Sequence, residues 1–293
     1  MDWAIPVSRL SELGIDENTD MHFADSADPN NYNKDYTLCP EDNPEMGQAC
    51  GYDLVLVLDM SLSISMYGQE QTVKDAAKDF VNAFLPGTPS LMGLVEFSGG
   101  GDTWVGTASV VSDLTNDYST LNTAIDGLSS SGYTNWEEAL LLATGLLEGG
   151  LDRDDSAHPD MIVIFTDGDP TASSAGASDT NQPNIHLAPA IAAANAAKTS
   201  ASDLPIRIVA VGVGTTTESR LVAISGPNVT PPDPITIDTD VILGDFVDLA
   251  DILAELSIQF CGGTITVHKV IDMDGDLNTT DDQITSGESV ENW

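Results

Sequence analysis

Two uninterrupted apolar runs, each followed by polar side chains, constrain the fold of this chain more than any other feature. The first run is Leu54–Leu58, and the second is Met161–Phe165. Runs of this length without polar alternation are typical of strands that are buried on both faces. Such strands belong to parallel sheets covered by helices, so the chain is expected to fold as an α/β protein.

The segments between and beyond these runs extend the same pattern over about residues 52–260. Helical and strand periodicities alternate along this stretch, which favours a doubly wound, mainly parallel sheet flanked by helices on both faces. Strands are predicted at 92–97, 103–111 and 206–213. Helices are predicted at 73–84, 121–128, 139–147, 189–200 and 246–260.

The first apolar run ends in Asp59, Ser61 and Ser63, which place three oxygens at alternate positions. In an open α/β sheet, ligands bind at the carboxyl ends of the strands. Hard oxygen ligands without histidine or cysteine suit a cation such as Mg2+. In the alternative interpretation, Ser61 or Ser63 only caps the following helix.

Two later segments add oxygens at equivalent positions. Asn135 is a predicted helix N-cap, with Glu138 three residues later as its capping-box partner, and Thr134 immediately precedes it. Asp167 follows the second apolar run. The order along the chain is therefore Asp-x-Ser-x-Ser, then Thr, then Asp, each at a strand end or a helix start.

This pattern resembles the von Willebrand factor type A (vWA) family and its metal-ion-dependent adhesion site. The resemblance covers about residues 52–260 and implies one divalent ion, Mg2+ or else Mn2+ or Ca2+. Its implied ligands are Asp59, Ser61, Ser63, Thr134 and Asp167. Leu62 departs from the family pattern, which usually has Gly there, and this raises the question of whether its bulk crowds the metal loop.

The charge of the chain excludes several classes of partner. Nine basic and 47 acidic side chains give a formal net charge of −38. Nucleic acid is not an expected partner, because phosphate binding needs clustered Lys and Arg. Direct membrane insertion is not expected either, since no stretch reaches the roughly 18 apolar residues of a membrane span.

The three cysteines indicate an extracellular protein. Cys50 precedes the first buried strand and Cys261 follows the last predicted helix, so a Cys50–Cys261 disulfide would join the two ends of the domain. Such a bridge implies a secreted or cell-surface location. A Cys39–Cys50 bridge and three free thiols in a cytosolic protein remain the alternatives.

The chain divides into three predicted segments. Residues 1–49 form a polar arm or linker, 50–261 form the metal-binding domain, and 262–293 begin a truncated β-rich stalk. The last segment resembles the opening of immunoglobulin-like repeats in bacterial surface proteins. Its acidic loop at 272–282 is a candidate Ca2+ site, against a plain acidic turn. The oxygen ligands of that site would be Asp272, Asp274, Asp276, Asn278 and Asp281.

These features predict an extracellular adhesion domain that is not an enzyme. A protein or glycan partner would supply an acidic group to the bound cation. One alternative is a metal-stabilised spacer in a surface fibre that has no ligand of its own. A metal-dependent hydrolase and an intracellular metal-chelation or assembly factor are the others. The hydrolase would need a positioned base next to an activated water, and the sequence shows no such constellation.

Overall fold

A computed structural model gives the conformation of most of the central part of the chain. It describes residues 40–46, 49, 51–85, 88–98, 107–153, 155–174, 176–177, 183–200, 204–231 and 234–260.

Seven strands of the described chain form one sheet in the order β3-β2-β1-β4-β7-β9-β8. Only β3 runs antiparallel to its neighbour, and all other pairs are parallel. A separate short hairpin joins β5 and β6. The strands are β1 (Asp53–Asp59), β2 (Leu91–Ser98), β3 (Thr107–Thr115), β4 (Asp160–Thr166), β5 (Ala172–Ser173), β6 (Gly176–Ala177), β7 (Arg207–Val213), β8 (Val229–Thr230) and β9 (Val241–Gly244).

Helices cover both faces of this sheet. They are α1 (Leu62–Met66), α2 (Glu70–Phe84), α3 (Tyr118–Asp126), α4 (Trp136–Leu147), α5 (Pro183–Lys198), α6 (Glu218–Ile224) and α7 (Leu249–Phe260), with a 3-10 turn at Phe246–Asp248. The first three helices and α7 share one hydrophobic core, and α4, α5 and α6 share the other. The doubly wound fold predicted from the sequence is thereby confirmed.

The residues of β1 explain why both faces need cover. Leu54, Leu56 and Leu58 enter the first core, whereas Val55 and Val57 enter the second. Side chains alternate across a strand, so a fully apolar strand must be buried on both sides. The strand order also reverses at β1, which lies between β2 and β4. Such a reversal opens a crevice at the carboxyl ends of the strands, which is where this type of sheet binds ligands.

Some local predictions differ from the structure. The edge strand predicted to end at residue 111 continues to Thr115. The helix predicted to begin at Pro189 begins at Pro183 and keeps Pro189 inside it. The buried Leu187 and Ile191 lie four residues apart, so the apolar face of this helix begins before the proline. Strand β9 was not predicted, because its four residues are too few to show a period.

The end of the predicted N-terminal arm is bound to the domain. The Asn43 side-chain amide donates to the Ile208 carbonyl at 2.7 Å, and the Ile208 amide donates to Asn43 Oδ1 at 3.0 Å. Lys198 Nζ donates to the Glu41 carbonyl at 2.8 Å. The Asn43 side chain therefore forms with the β7 backbone the two hydrogen bonds that a neighbouring strand would form, although Asn43 is not in a strand.

Candidate functional site

Asp59 is the buried centre of the candidate site. It is the last residue of β1 and is fully shielded from solvent. The Ser61 amide donates to Asp59 Oδ1 at 2.8 Å. The Asp167 amide donates to Oδ2 at 3.3 Å, and the Thr166 hydroxyl lies 2.7 Å from the same oxygen. Both oxygens of this carboxylate are therefore fixed by groups at the carboxyl ends of β1 and β4.

Two serine hydroxyls extend this arrangement to the second acid. Ser61 Oγ lies 3.0 Å from Ser63 Oγ, and Ser63 Oγ donates to Asp167 Oδ1 at 2.6 Å. Ser61 is the N-cap residue of α1 by position, yet its side chain makes no capping hydrogen bond. The hydroxyl faces the acids instead, which argues against the interpretation of Ser61 as a mere helix cap.

The Thr134 loop is held beside these residues through its backbone. The Ser131 amide donates to the Met60 carbonyl at 2.8 Å, and the Leu62 amide donates to the Gly132 carbonyl at 3.1 Å. On its other side, the Thr134 carbonyl accepts from the backbone amides of Thr171 and Ala172, which follow β4. Thr134 itself is buried. The three predicted ligand segments are therefore joined at one rim of the sheet.

The two acids hold protons unusually tightly. Burial, followed by the nearby negative charge of Asp167, raises the pKa of Asp59 to about 7. Burial also raises the pKa of Asp167. Each shift shows that negative charge is poorly compensated at this position.

One oxygen of the cluster has no hydrogen-bond partner. Asp167 Oδ2 is buried and unsatisfied among the described residues. Buried polar atoms of this kind are rare in folded proteins and call for an explanation such as a water or an ion. A divalent cation would satisfy this oxygen and offset both carboxylates, so the residues present fit such a metal.

Thr166 and Trp136 lie behind the candidate ligands and support them. The sequence did not indicate this role for Thr166. The Trp136 indole Nε1–H donates to Thr166 Oγ1 at 3.3 Å, and that hydroxyl also lies 2.9 Å from the Gly168 carbonyl. Trp136 is fully buried. A hydroxyl has one proton, so Thr166 must choose between Asp59 and Gly168 as its acceptor.

The other acids at this rim have structural partners. Asn135 caps α4 by accepting from the Glu138 amide at 3.1 Å, as predicted. The Glu138 carboxylate accepts from the Ala108 amide of β3 at 3.0 Å, and the Glu137 carboxylate accepts from the Ser174 hydroxyl at 2.8 Å. These contacts connect the start of α4 to neighbouring segments.

Asp169 joins the rim to α6. Its carboxylate accepts from the Thr217 hydroxyl at 2.7 Å and forms an ion pair with Arg220. This acid therefore fixes the position of α6 relative to the segment after β4. This structural role explains the presence of Asp169 at the rim without assigning it to metal binding or catalysis.

A buried serine–histidine pair links β5 to α5. Ser173 Oγ is 2.8 Å from His186 Nδ1. Both side chains are almost fully buried, and burial lowers the pKa of His186. A nucleophile must be reached by its substrate, so this pair does not favour the hydrolase alternative.

A further acidic cluster lies at the opposite end of the sheet. Carboxylate oxygens of Asp53, Asp152 and Asp160 lie within 4.8 Å of one another at the starts of β1 and β4. The Arg153 guanidinium binds Asp53, with Nε donating to Oδ1 at 2.9 Å. Six residues of strand separate this end from Asp59, which is roughly 20 Å. The sequence did not indicate this cluster, because its members belong to three different segments.

Several predicted sites fall outside the described residues. These are Cys39, Cys50 and Cys261, and the possible Ca2+ ligands Asp272, Asp274, Asp276, Asn278 and Asp281. The disulfide and the second metal site stay predictions. Among the helices that the structure describes, none has the length and apolar character needed to cross a membrane.

Comparisons with known proteins agree with this architecture. Residues 54–169 match the family model of the von Willebrand factor type A domain. No curated protein matches the chain. Solved structures match it in fold at low sequence identity.

Three of these structures illustrate the kinds of protein that share the fold. The vWF domain of the pilus tip protein Mfa5 from Porphyromonas gingivalis has a TM-score of 0.55 and 14% identity, covering 77% of this chain and 99% of that one. The pilus adhesin SpaC from Lactobacillus rhamnosus GG, in its open conformation, has a TM-score of 0.52 and 17% identity, covering 76% and 31%. Proximal thread matrix protein 1 from the mussel byssus, with a zinc-occupied MIDAS motif, has a TM-score of 0.51 and 19% identity, covering 73% and 47%.

The matched region covers only part of two of these proteins, which limits what the comparison says about this chain. The chain spans about half of the mussel protein and about a third of SpaC. At these identities the likeness concerns the fold alone. Taken with the family match and the sheet order, it identifies a domain with the von Willebrand factor type A fold in this chain.

Proposed function

We propose that this domain binds one divalent cation, Mg2+ or Mn2+, and uses it to hold an acidic group of an extracellular partner. The ligands would be Asp59, Ser61, Ser63, Thr134 and Asp167. The observation that carries the proposal is the buried pair of acids with raised pKa values, one of which has an unsatisfied oxygen. When bound, the cation supplies positive charge and a coordination position that a partner's carboxylate can fill.

The residues of the chain prepare this site before any ion arrives. Ser61 and Ser63 present hydroxyl oxygens between the two acids. Hydrogen bonds to the Asp59 carboxylate fix its orientation, which is a recurring role of groups behind metal ligands. Backbone hydrogen bonds between the three loops hold the loops against one another, so little backbone ordering is left for the binding step.

The surroundings support adhesion over catalysis. The net charge of −38 opposes long-range approach of acidic partners, so a cation is needed where a carboxylate is to bind. Proteins with the same fold include a pilus adhesin and a matrix protein, as their names state. We extend this role to the present chain, together with a secreted or cell-surface location.

Metal binding is tested with two neighbouring serines. Ser63→Ala removes the hydroxyl between Ser61 and Asp167, and it should weaken Mg2+ affinity measured by titration calorimetry. Ser65→Ala is the matched control, because the exposed Ser65 in the same helix donates only to the Leu62 carbonyl. Asp59→Ala should abolish tight binding. Unchanged affinity in both Ser63→Ala and Asp59→Ala would refute the assignment.

Adhesion is separated from a spacer role by partner capture. A panel of matrix and cell-surface ligands is screened by surface plasmon resonance in Mg2+ and again in EDTA. An adhesion domain loses its partner in EDTA, and Thr134→Ala weakens capture more than stability. A metal-stabilised spacer instead shows a higher melting temperature in Mg2+ and captures nothing.

A further inference from the structure

An exposed apolar group lies directly beside the proposed metal site. Leu62, Met66 and Tyr67 are 49%, 76% and 56% exposed, and we call them the apolar rim. Leu62 lies between Ser61 and Ser63 in sequence, so its Cα is one residue, about 3.8 Å, from that of each proposed ligand. Clustered exposed apolar side chains often mark an interaction site.

The backbone holds the apolar rim in one position. Leu62 and Met66 are four residues apart in α1, which places them on one face. The Tyr67 amide donates to the Ser63 carbonyl at 2.9 Å, and Gly68 ends the helix with a φ of 69°. That left-handed conformation favours glycine and stops the helix sharply. Ile64 is the one buried side chain of α1, and it anchors the helix to the first core.

We infer that the apolar rim selects a partner segment in which a single Asp or Glu is flanked by an apolar residue. This inference rests on the proposed function, because the carboxylate must sit at the cation. Consecutive residues of an extended segment are about 3.3–3.6 Å apart. Leu62 and Met66 are separated by about 6 Å along the helix, which two residues of an extended segment can span, so residues that flank the coordinating acid can contact both side chains.

The charge of the chain decides between apolar and acidic flanks. At −38, the protein repels a segment with several acids, and only the carboxylate at the cation is compensated. A second copy of this chain carries the same charge and is disfavoured as the occupant for the same reason. An uncharged apolar flank avoids this repulsion and buries the rim.

The test uses two immobilised, end-capped peptides, Ala-Leu-Glu-Leu-Ala and Ala-Ser-Glu-Ser-Ala, measured by surface plasmon resonance in Mg2+ and in EDTA. The leucine-flanked peptide should bind roughly three- to tenfold more tightly, as expected from burying part of one or two apolar side chains. Leu62→Ser and Met66→Ser should reduce this preference. Leu151→Ser is the matched control, because Leu151 is 56% exposed and lies near Arg153 at the other end of the sheet.

The outcomes separate the inference from the function on which it rests. Equal Mg2+-dependent binding of both peptides overturns the inference and leaves the proposed function standing. The same holds if the leucine preference survives in Leu62→Ser and in Met66→Ser while their melting temperatures match the wild type. If neither peptide binds in a Mg2+-dependent way, the proposed coordination of a carboxylate fails, and the inference fails with it.

Discussion

The buried Asp59 should make the metal-free protein lose stability as the pH rises from about 4 to 7. Its pKa is raised from 3.8 to about 7 in the folded state, first by burial and then by the charge of Asp167. The unfolded chain releases this proton near pH 4, whereas the folded chain keeps it until near pH 7. In this window the folded state binds more protons, so the free energy of unfolding falls with pH.

The expected loss of stability follows from the pKa shift of Asp59. About three pKa units correspond to ~4 kcal/mol of differential interaction. The slope approaches about 1.4 kcal/mol per pH unit and falls as the folded-state carboxyl begins to lose its proton near pH 7, so roughly 2 kcal/mol should be lost between pH 5 and pH 7 from this group alone. The raised pKa of Asp167 acts in the same direction.

Urea denaturation of metal-free protein at pH 5 and pH 7 measures this loss, with Asp59→Asn as the comparison. Other titrating groups contribute to both proteins, so the quantity of interest is the difference between their two pH dependences. The wild type should lose more stability than the variant by an amount on the order of 2 kcal/mol. Adding Mg2+ at pH 7 should restore stability to the wild type. Parallel pH dependences in the two proteins would refute the reasoning, because the carboxyl could not then be holding a proton through burial.

Three further predictions concern other parts of the molecule. Thr166→Val removes the hydroxyl beside the Asp59 carboxylate, and by analogy with groups behind other metal ligands it should cost roughly 10- to 100-fold in Mg2+ affinity by calorimetry. Arg153→Met leaves the buried Asp53 carboxylate without its guanidinium, and urea denaturation should show a loss of about 3–5 kcal/mol with Mg2+ affinity unchanged. Peptide mapping under non-reducing conditions should recover Cys50 and Cys261 in one disulfide-linked peptide pair.

Each of these predictions has a control or a contrary result. Thr216→Val should leave Mg2+ affinity unchanged, because the Thr216 hydroxyl bonds only to backbone carbonyls. Lys78→Met breaks ion pairs at the surface and should cost no more than about 1 kcal/mol. A peptide that links Cys39 to Cys50 would overturn the predicted pairing.

Part of the fold and of the site could be predicted because local patterns determine it. Continuous apolar runs identify β1, β4 and β7, since only a strand covered on both faces tolerates them. The Asn135 cap was predicted correctly from spacing alone. Asp59, Ser61, Ser63 and Asp167 lie at the carboxyl ends of β1 and β4, which meet at one edge of a parallel sheet, so the convergence of these four residues follows from topology.

Other features depend on contacts between distant segments and could not be predicted from the sequence. Asp53 and Arg153 are 100 residues apart, and nothing local to either residue indicates the pair. Thr166 ends an apolar strand, and only the packing of Trp136 against it shows where its hydroxyl points. The question of whether Leu62 crowds the metal loop is answered by its exposure, which places the side chain outward.

The sequence by itself determined the alternation of strands and helices, the positions of the oxygen-bearing side chains and the strongly acidic character of the chain. The tertiary structure decided the burial of Asp59, the unsatisfied oxygen of Asp167 and the exposure of the apolar rim. The physical reason is that periodicity and capping act over a few neighbouring residues. Burial, pKa values and surface patches instead depend on which distant segments exclude water from a given atom.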